Sequence, residues 1–182
     1  VHPLSSLLML KQTEAKARGE VIGIASVTAD TGTATRSLNK YDHRYIAADP
    51  TDVEDYASLS ITFTDGTKAQ VNASDLLLGG TRGFIEAYSS DGVLYGKISP
   101  VDIVKSYYLD EDGLEDVELS EMLLTKTGWN NPFVADETIR GFLGELQDFV
   151  ECIQTGREPI SNFALARDTM KVVYAAYQSA EE

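Results

Sequence analysis

The stretch DYASLSITFTDGTKAQVNAS, residues 55–74, limits the possible folds more than any other part of the chain. Ala57, Leu59, Ile61 and Phe63 fall on one face of an extended chain, with Ser58, Ser60 and Thr62 on the other. After the turn, Ala69, Val71 and Ala73 alternate with Gln70 and Asn72. A two-residue Asp65-Gly66 loop would put the apolar sets of the two strands on opposite faces. A three-residue loop, Thr64 to Gly66 with Gly66 in the left-handed region, instead pairs Ile61 with Ala69 and Leu59 with Val71. The pattern selects the three-residue turn. Because the other face stays polar, it also predicts an antiparallel sheet with one side on a core and one side open.

The C-terminal third changes period from 2 to 3.6. Ile139, Phe142, Leu143, Leu146, Phe149, Val150 and Ile153 form one stripe, opened by Asp136 as a cap and closed by Gly156. After the turn GREPIS a second helix is expected from Ser161 or Asn162, with Phe163, Ala166, Met170, Val173, Tyr174 and Tyr177 on its buried face. At the other end Leu4, Leu7, Leu8 and Leu10 stand at helical spacing between Pro3 and Gly19. EVIGIASVTAD reads as a strand, Thr31 to Pro50 as a long connection with a short strand around Tyr45, and GFIEAYSSDGVLYGKI as a strand pair turning near Ser90 to Gly92. Strands in the middle, helices at the ends and no internal repeat predict an α+β fold. Its expected form is an open, predominantly antiparallel sheet of about five to eight strands, with the two C-terminal helices packed on one face. At 182 residues the chain fits a single domain, 1–182.

A formal charge of −14 repels phosphate backbones and anionic lipid, so neither nucleic acid nor a membrane is expected as a partner. The single cysteine, Cys152, is read as a small apolar residue on a helix flank, and the lack of paired cysteines fits a cytoplasmic location. The acidic run LDEDGLEDVELSE fails as a calcium loop, since Leu114 and Glu115 stand where an oxygen ligand and a glycine are needed; it reads as a solvated loop or edge strand. GGTRGF lacks the spacing of a dinucleotide fingerprint and reads as a bend between strands. Two histidines, His2 and His43, supply no His-rich metal site, and no nucleophile elbow occurs. The residues alone fall short of a complete catalytic apparatus.

The end of the chain, GELQDFVECIQTGREPISNFALARDTMKVVYAAYQSAEE, resembles the closing segment of the glucose-fructose oxidoreductase and inositol dehydrogenase family, Gfo/Idh/MocA. The matching positions are Glu145, Asp148 and Phe149 of an E-x-x-D-F helix, Gly156, Arg157 and Pro159 of a G-[RK]-x-P turn, and Tyr174 to Glu182 of the last helix. DVEDYASLSITFTDGTKAQV resembles the family's hairpin. FIEAYSSDGVL resembles its I-E-x-x-G-x-x-G-x-L strand pair, with Ser89 where glycine is usual.

The resemblance implies a two-domain dehydrogenase whose N-terminal Rossmann domain holds NAD or NADP and whose α+β C-terminal domain supplies substrate pocket and oligomer contacts. The second alone is expected here. This chain should then hold no cofactor and be silent by itself. It opens with VHPLSS, without an initiator Met or a signal segment, so an upstream part is expected. VHPLS is similar to the end of the family's D-x-G-x-H-x-x-D motif, which puts His2 at the position of a histidine that moves the substrate hydroxyl proton. Ser5 stands where the later aspartate often is. Arg82, with Thr81 beside it, falls in a loop that approaches the substrate pocket in the family, and both are candidate substrate-binding residues. Trp129 is expected to anchor the loop before the first long helix.

The expected activity is NAD(P)-dependent oxidation of a sugar, polyol or related hydroxy compound by the parent protein, which self-associates through the open sheet face. The alternative is a non-enzymatic oligomerisation or ligand-binding module on the same scaffold.

Overall fold

The computed structural model describes residues 1–34, 52–75, 83–97, 104–117, 125–131 and 141–181. The chain divides into two compact units, Val1–Thr81 with Ile160–Glu182, and Arg82–Pro159. The helices are α1 (His2–Arg18), α2 (Phe142–Thr155) and α3 (Phe163–Glu181). The strands are β1 (Ile24–Gly32), β2 (Tyr56–Phe63), β3 (Lys68–Ser74), β4 (Phe84–Tyr88), β5 (Gly92–Lys97), β6 (Val104–Tyr108) and β7 (Gly128–Asn130). Two open antiparallel sheets result, ordered β1-β2-β3 and β4-β5-β6-β7, which makes the fold α+β.

In the first unit the hairpin takes the predicted register, with Leu59 opposite Val71 and Ile61 opposite Ala69. Gly66 sits at φ 85°, and its N–H donates to the Phe63 carbonyl at 3.0 Å. That register gathers Leu59, Ile61, Phe63 and Val71 on one face, where they pack with Leu4 and Leu8 of α1 and Leu165, Val172 and Ala176 of α3. Ser60, Gln70 and Asn72 lie exposed on the other face, as the alternation requires. Within the first unit the helices over this sheet are α1 and α3; α2 falls in the second unit.

The side of α3 that meets the core differs from the expectation. Leu165, Thr169, Val172 and Ala176 are the buried positions, while Phe163 is 95% and Tyr174 68% exposed. Small and β-branched residues let α3 lie close on β1, where the Ala29 N–H donates to Ser179 Oγ at 3.2 Å. The bulky aromatic stripe has no room there. The helix starts where expected, with the Leu165 N–H donating to Asn162 Oδ1 at 2.9 Å.

The second unit is a four-stranded meander with α2. The β4–β5 turn is held by Ser89, whose Oγ accepts the Gly92 N–H at 2.9 Å. The GREP turn after α2 is held by Arg157, which pairs with Asp148 and Glu151, each at 2.8 Å, and this pairing holds Glu151 below the usual carboxylate range. Cys152 lies half-buried on the helix flank beside the same guanidinium, at 3.3 Å. The loop that Trp129 is expected to anchor lies outside the described residues. Trp129 itself sits on β7, 54% exposed, and stacks on Tyr95. No helix among the described residues is long and apolar enough to cross a membrane. The expected strand near Tyr45, the GGTR bend, and Asp136 and Ile139 of the first apolar stripe lie outside the described residues.

Candidate functional site

His2 is the first residue of α1, after Val1 as the cap residue and before Pro3, whose fixed φ suits a first turn. Leu4 and Leu8, 3% and 4% exposed, fasten this turn to the core and so fix where His2 stands on the first unit. The imidazole itself is exposed. Ser5 Oγ and Ser6 Oγ both donate to the His2 carbonyl at 3.0 Å, so the two hydroxyls turn back on the helix and leave the ring alone. His2 is therefore a positioned, solvent-facing imidazole without a partner carboxylate among the described residues. Arg82 and Thr81 lie outside the described residues, as does His43, so the described structure does not bring the three candidate site residues together.

A cleft of about 480 Å³ runs between α1, β1 and α3, with Leu8, Lys11, Ile24, Val27, Lys171 and Val172 in its walls. His2 is not part of its lining. The ionic groups at its rim are already satisfied. Lys11 Nζ lies 2.7 Å from Glu14 and 2.8 Å from Asp65, and Lys171 lies 3.6 Å from Asp168. Partial burial opposes the charge on Lys11, but the hydrogen bonds to Asp65 and Glu14 outweigh it and raise its pKa. In return the Lys11 ammonium, followed by the Thr67 hydroxyl, holds the Asp65 carboxyl down at about 2. Such a constellation locks the hairpin turn to α1 and offers no free acid or base for catalysis. Sequence reading missed it because the partners are 54 residues apart, although a lone Asp in a three-residue turn opposite a lysine-bearing helix face is a usable signal.

No group of three or more His, Cys, Asp or Glu side chains among the described residues has the arrangement of a metal site. No strand among these residues leads through a glycine-rich turn into a helix, and α1, α2 and α3 open on Val1, Gly141 and Asn162.

No protein-family model and no curated protein sequence matches the chain. Solved structures do match it. GenD2 from gentamicin A biosynthesis, solved in complex with NAD, is similar over 88% of this chain and 40% of its own, at 23% identity and a TM-score of 0.55. An NAD binding oxidoreductase from Klebsiella pneumoniae matches 88% of this chain and 44% of its own, at 18% identity and a TM-score of 0.62. Levoglucosan dehydrogenase in complex with NADH matches 87% of this chain and 43% of its own, at 16% identity and a TM-score of 0.64. The chain has the fold found in Gfo/Idh/MocA-type NAD-binding oxidoreductases, in agreement with the motifs of its sequence. It spans about two fifths of the length of these proteins.

Proposed function

We propose that this chain is the C-terminal substrate-binding and oligomerisation domain of an NAD(P)-dependent oxidoreductase that acts on a sugar, polyol or related hydroxy compound. The observation that carries the reading is the fold likeness to NAD-binding oxidoreductases over nearly nine tenths of the chain, joined to a histidine at the head of α1 where the family motif has one. The cofactor, NAD or NADP, belongs to a Rossmann domain upstream.

The chemistry follows from what a carbinol must lose. As hydride leaves carbon, the hydroxyl proton needs an acceptor, and an imidazole can take it near neutral pH. His2 faces solvent at the end of a helix anchored by Leu4 and Leu8, so it can stand at the edge of a substrate pocket without a change in the core. Arg82 and Thr81 bind the substrate's polar groups. In this reading the upstream domain brings the hydride acceptor, so the chain alone is inactive for want of proximity.

The test is the upstream gene segment and the protein it encodes. A G-x-G-x-x-G unit and an E-K-P motif there, with NAD(P)-dependent oxidation of a polyol or sugar, support the reading. In that protein His2→Ala lowers kcat by about 10² to 10⁴ and leaves cofactor affinity unchanged, while Arg82→Ala mainly raises KM. Absence of the motifs and full turnover by His2→Ala would favour the non-enzymatic module.

A further inference from the structure

We propose that Glu54, held by the hydroxyl of Tyr177, is a substrate-binding residue at the same end of the first unit as His2, and that it selects neutral polyhydroxylated substrates over anionic ones such as sugar acids. The inference rests on the oxidoreductase reading above and names the substrate class of that site.

The contacts of α1 and α3 fix the end of the sheet toward which each helix points. Lys11 of α1 pairs with Asp65 in the β2–β3 turn at 2.8 Å, and its ammonium lies 5.2 Å from the centre of the Phe63 ring. The chain leaves α1 at that same turn. There the Gly23 N–H donates to Thr64 Oγ1 and the Gly23 carbonyl accepts the Thr64 N–H, both at 2.9 Å. The other half of α1 therefore runs back over the core through Leu8 and Leu4, and His2 stands about 13 Å from Lys11 on the side away from the turn. α3 runs the opposite way. Asp168 and Lys171 border the cleft beside Ile24 and Phe63, at the turn end. Toward its other end Ser179 accepts the Ala29 N–H, and Tyr177 donates to Glu54 just before β2 begins. The head of α1 and the last turns of α3 thus reach the same end of the sheet. Packed helices lie about 8–10 Å apart, a gap that a sugar ring with its hydroxyl groups spans.

The surroundings of the Glu54 carboxylate show what it can do. One of its oxygens accepts the Tyr177 hydroxyl, and among the described residues no other group meets it. The acids beside Lys11 differ, since both are paired with its ammonium. The backbone that carries Glu54 is held as well. Asp55, the next residue, is 3% exposed; its N–H donates to the Gly32 carbonyl at 3.0 Å and its carbonyl accepts the Asp75 N–H at 3.1 Å. Its Oδ1 accepts the Ala34 N–H at 2.8 Å. These bonds tie the ends of β1 and β3 to the start of β2. The hydrogen bond to Glu54, with burial second, raises the Tyr177 pKa and so keeps the donating proton on the phenol. A carboxylate fixed through one oxygen and open at the other accepts a substrate hydroxyl in a charge-assisted bond, about twice as strong as a neutral one. The same charge repels a carboxylate or phosphate placed there.

Steady-state kinetics of the protein with its upstream segment is the experiment, run on neutral polyols and sugars and on sugar acids of matching length, with circular dichroism confirming the fold of each variant. Wild type should favour the neutral substrates by about tenfold or more in kcat/KM. Glu54→Gln should raise KM for a neutral substrate about tenfold, leave kcat within about threefold and narrow that preference. Tyr177→Phe should shift KM and preference the same way by less, and it decides by the same two readouts if Glu54→Gln does not fold. An unchanged preference in the variants, whatever KM does, or a wild type that favours sugar acids overturns the inference and leaves the oxidoreductase reading standing. A wild type that oxidises no hydroxy compound overturns that reading and this inference with it.

Discussion

The two units use the same kinds of element to different ends. In the first, nine buried apolar residues from both helices and two strands close one core, with Ile61 at 0% and Val172 at 1% exposure. In the second, Ser106 is the one buried residue among those described, although α2 carries a regular apolar stripe. Phe142, Leu146, Phe149 and Ile153 are 63% to 70% exposed. A periodic stripe is a potential for burial, and only a surface facing it makes it core. The first unit therefore holds the buried core, and the second leaves the apolar stripe of α2 and the rings of Tyr88 and Trp129 exposed.

Ile61→Ala is the hardest test of that division. It removes atoms from a fully enclosed site and should cost about 2–5 kcal/mol in a urea titration. A loss below about 1 kcal/mol would mean that the core does not govern stability.

A smaller, pH-dependent effect should come from the hairpin turn. The carboxyl of Asp65 is held at about 2 in the folded chain, below its unfolded value, so the Lys11–Asp65 pair contributes stability that is complete above about pH 4. That contribution is lost as pH falls from there through about 2. Urea midpoints measured from pH 5 down to pH 2 should fall less steeply for Asp65→Asn than for wild type. Parallel curves would remove the pair as a contributor.

The smallest effect is expected on α2. Leu146→Ser, on a side chain 63% exposed, should change stability by no more than about 0.5 kcal/mol, while improving solubility. A loss comparable to that of Ile61→Ala would show the stripe covered and end the contrast between the units.

Much of the first unit is legible in the sequence. The alternation around Thr64 to Gly66 leaves one register that keeps both apolar sets on one face, and the structure adopts it. The start of α1 after Val1, its stop at Gly19, and the caps of α3 at Asn162 and α2 at Gly156 follow from local chemistry. His2 as a candidate came from a motif, and the structure adds that its ring is exposed and that Ser5 and Ser6 turn away from it. The aromatic face of the second sheet was illegible. Tyr88, Tyr95, Tyr107 and Trp129 are scattered over 42 positions, and only the register across four strands makes them neighbours.

What the sequence determined by itself depends on short range: the type of most elements, the length of the β2–β3 turn, the stops of α1 and α2, the cap of α3, and the face on which the apolar residues of β2 and β3 lie. These follow from steric and hydrogen-bonding preferences within a few residues. Tertiary structure decided which stripe became core. On α3 both Leu165-Thr169-Val172-Ala176 and the Phe163-Met170-Tyr174-Tyr177 side were open to burial, and by hydrophobicity the aromatic side is the stronger claimant. Close approach of the helix to β1 favours the slimmer side, because packing density is a property of two surfaces together and neither sequence segment encodes it alone.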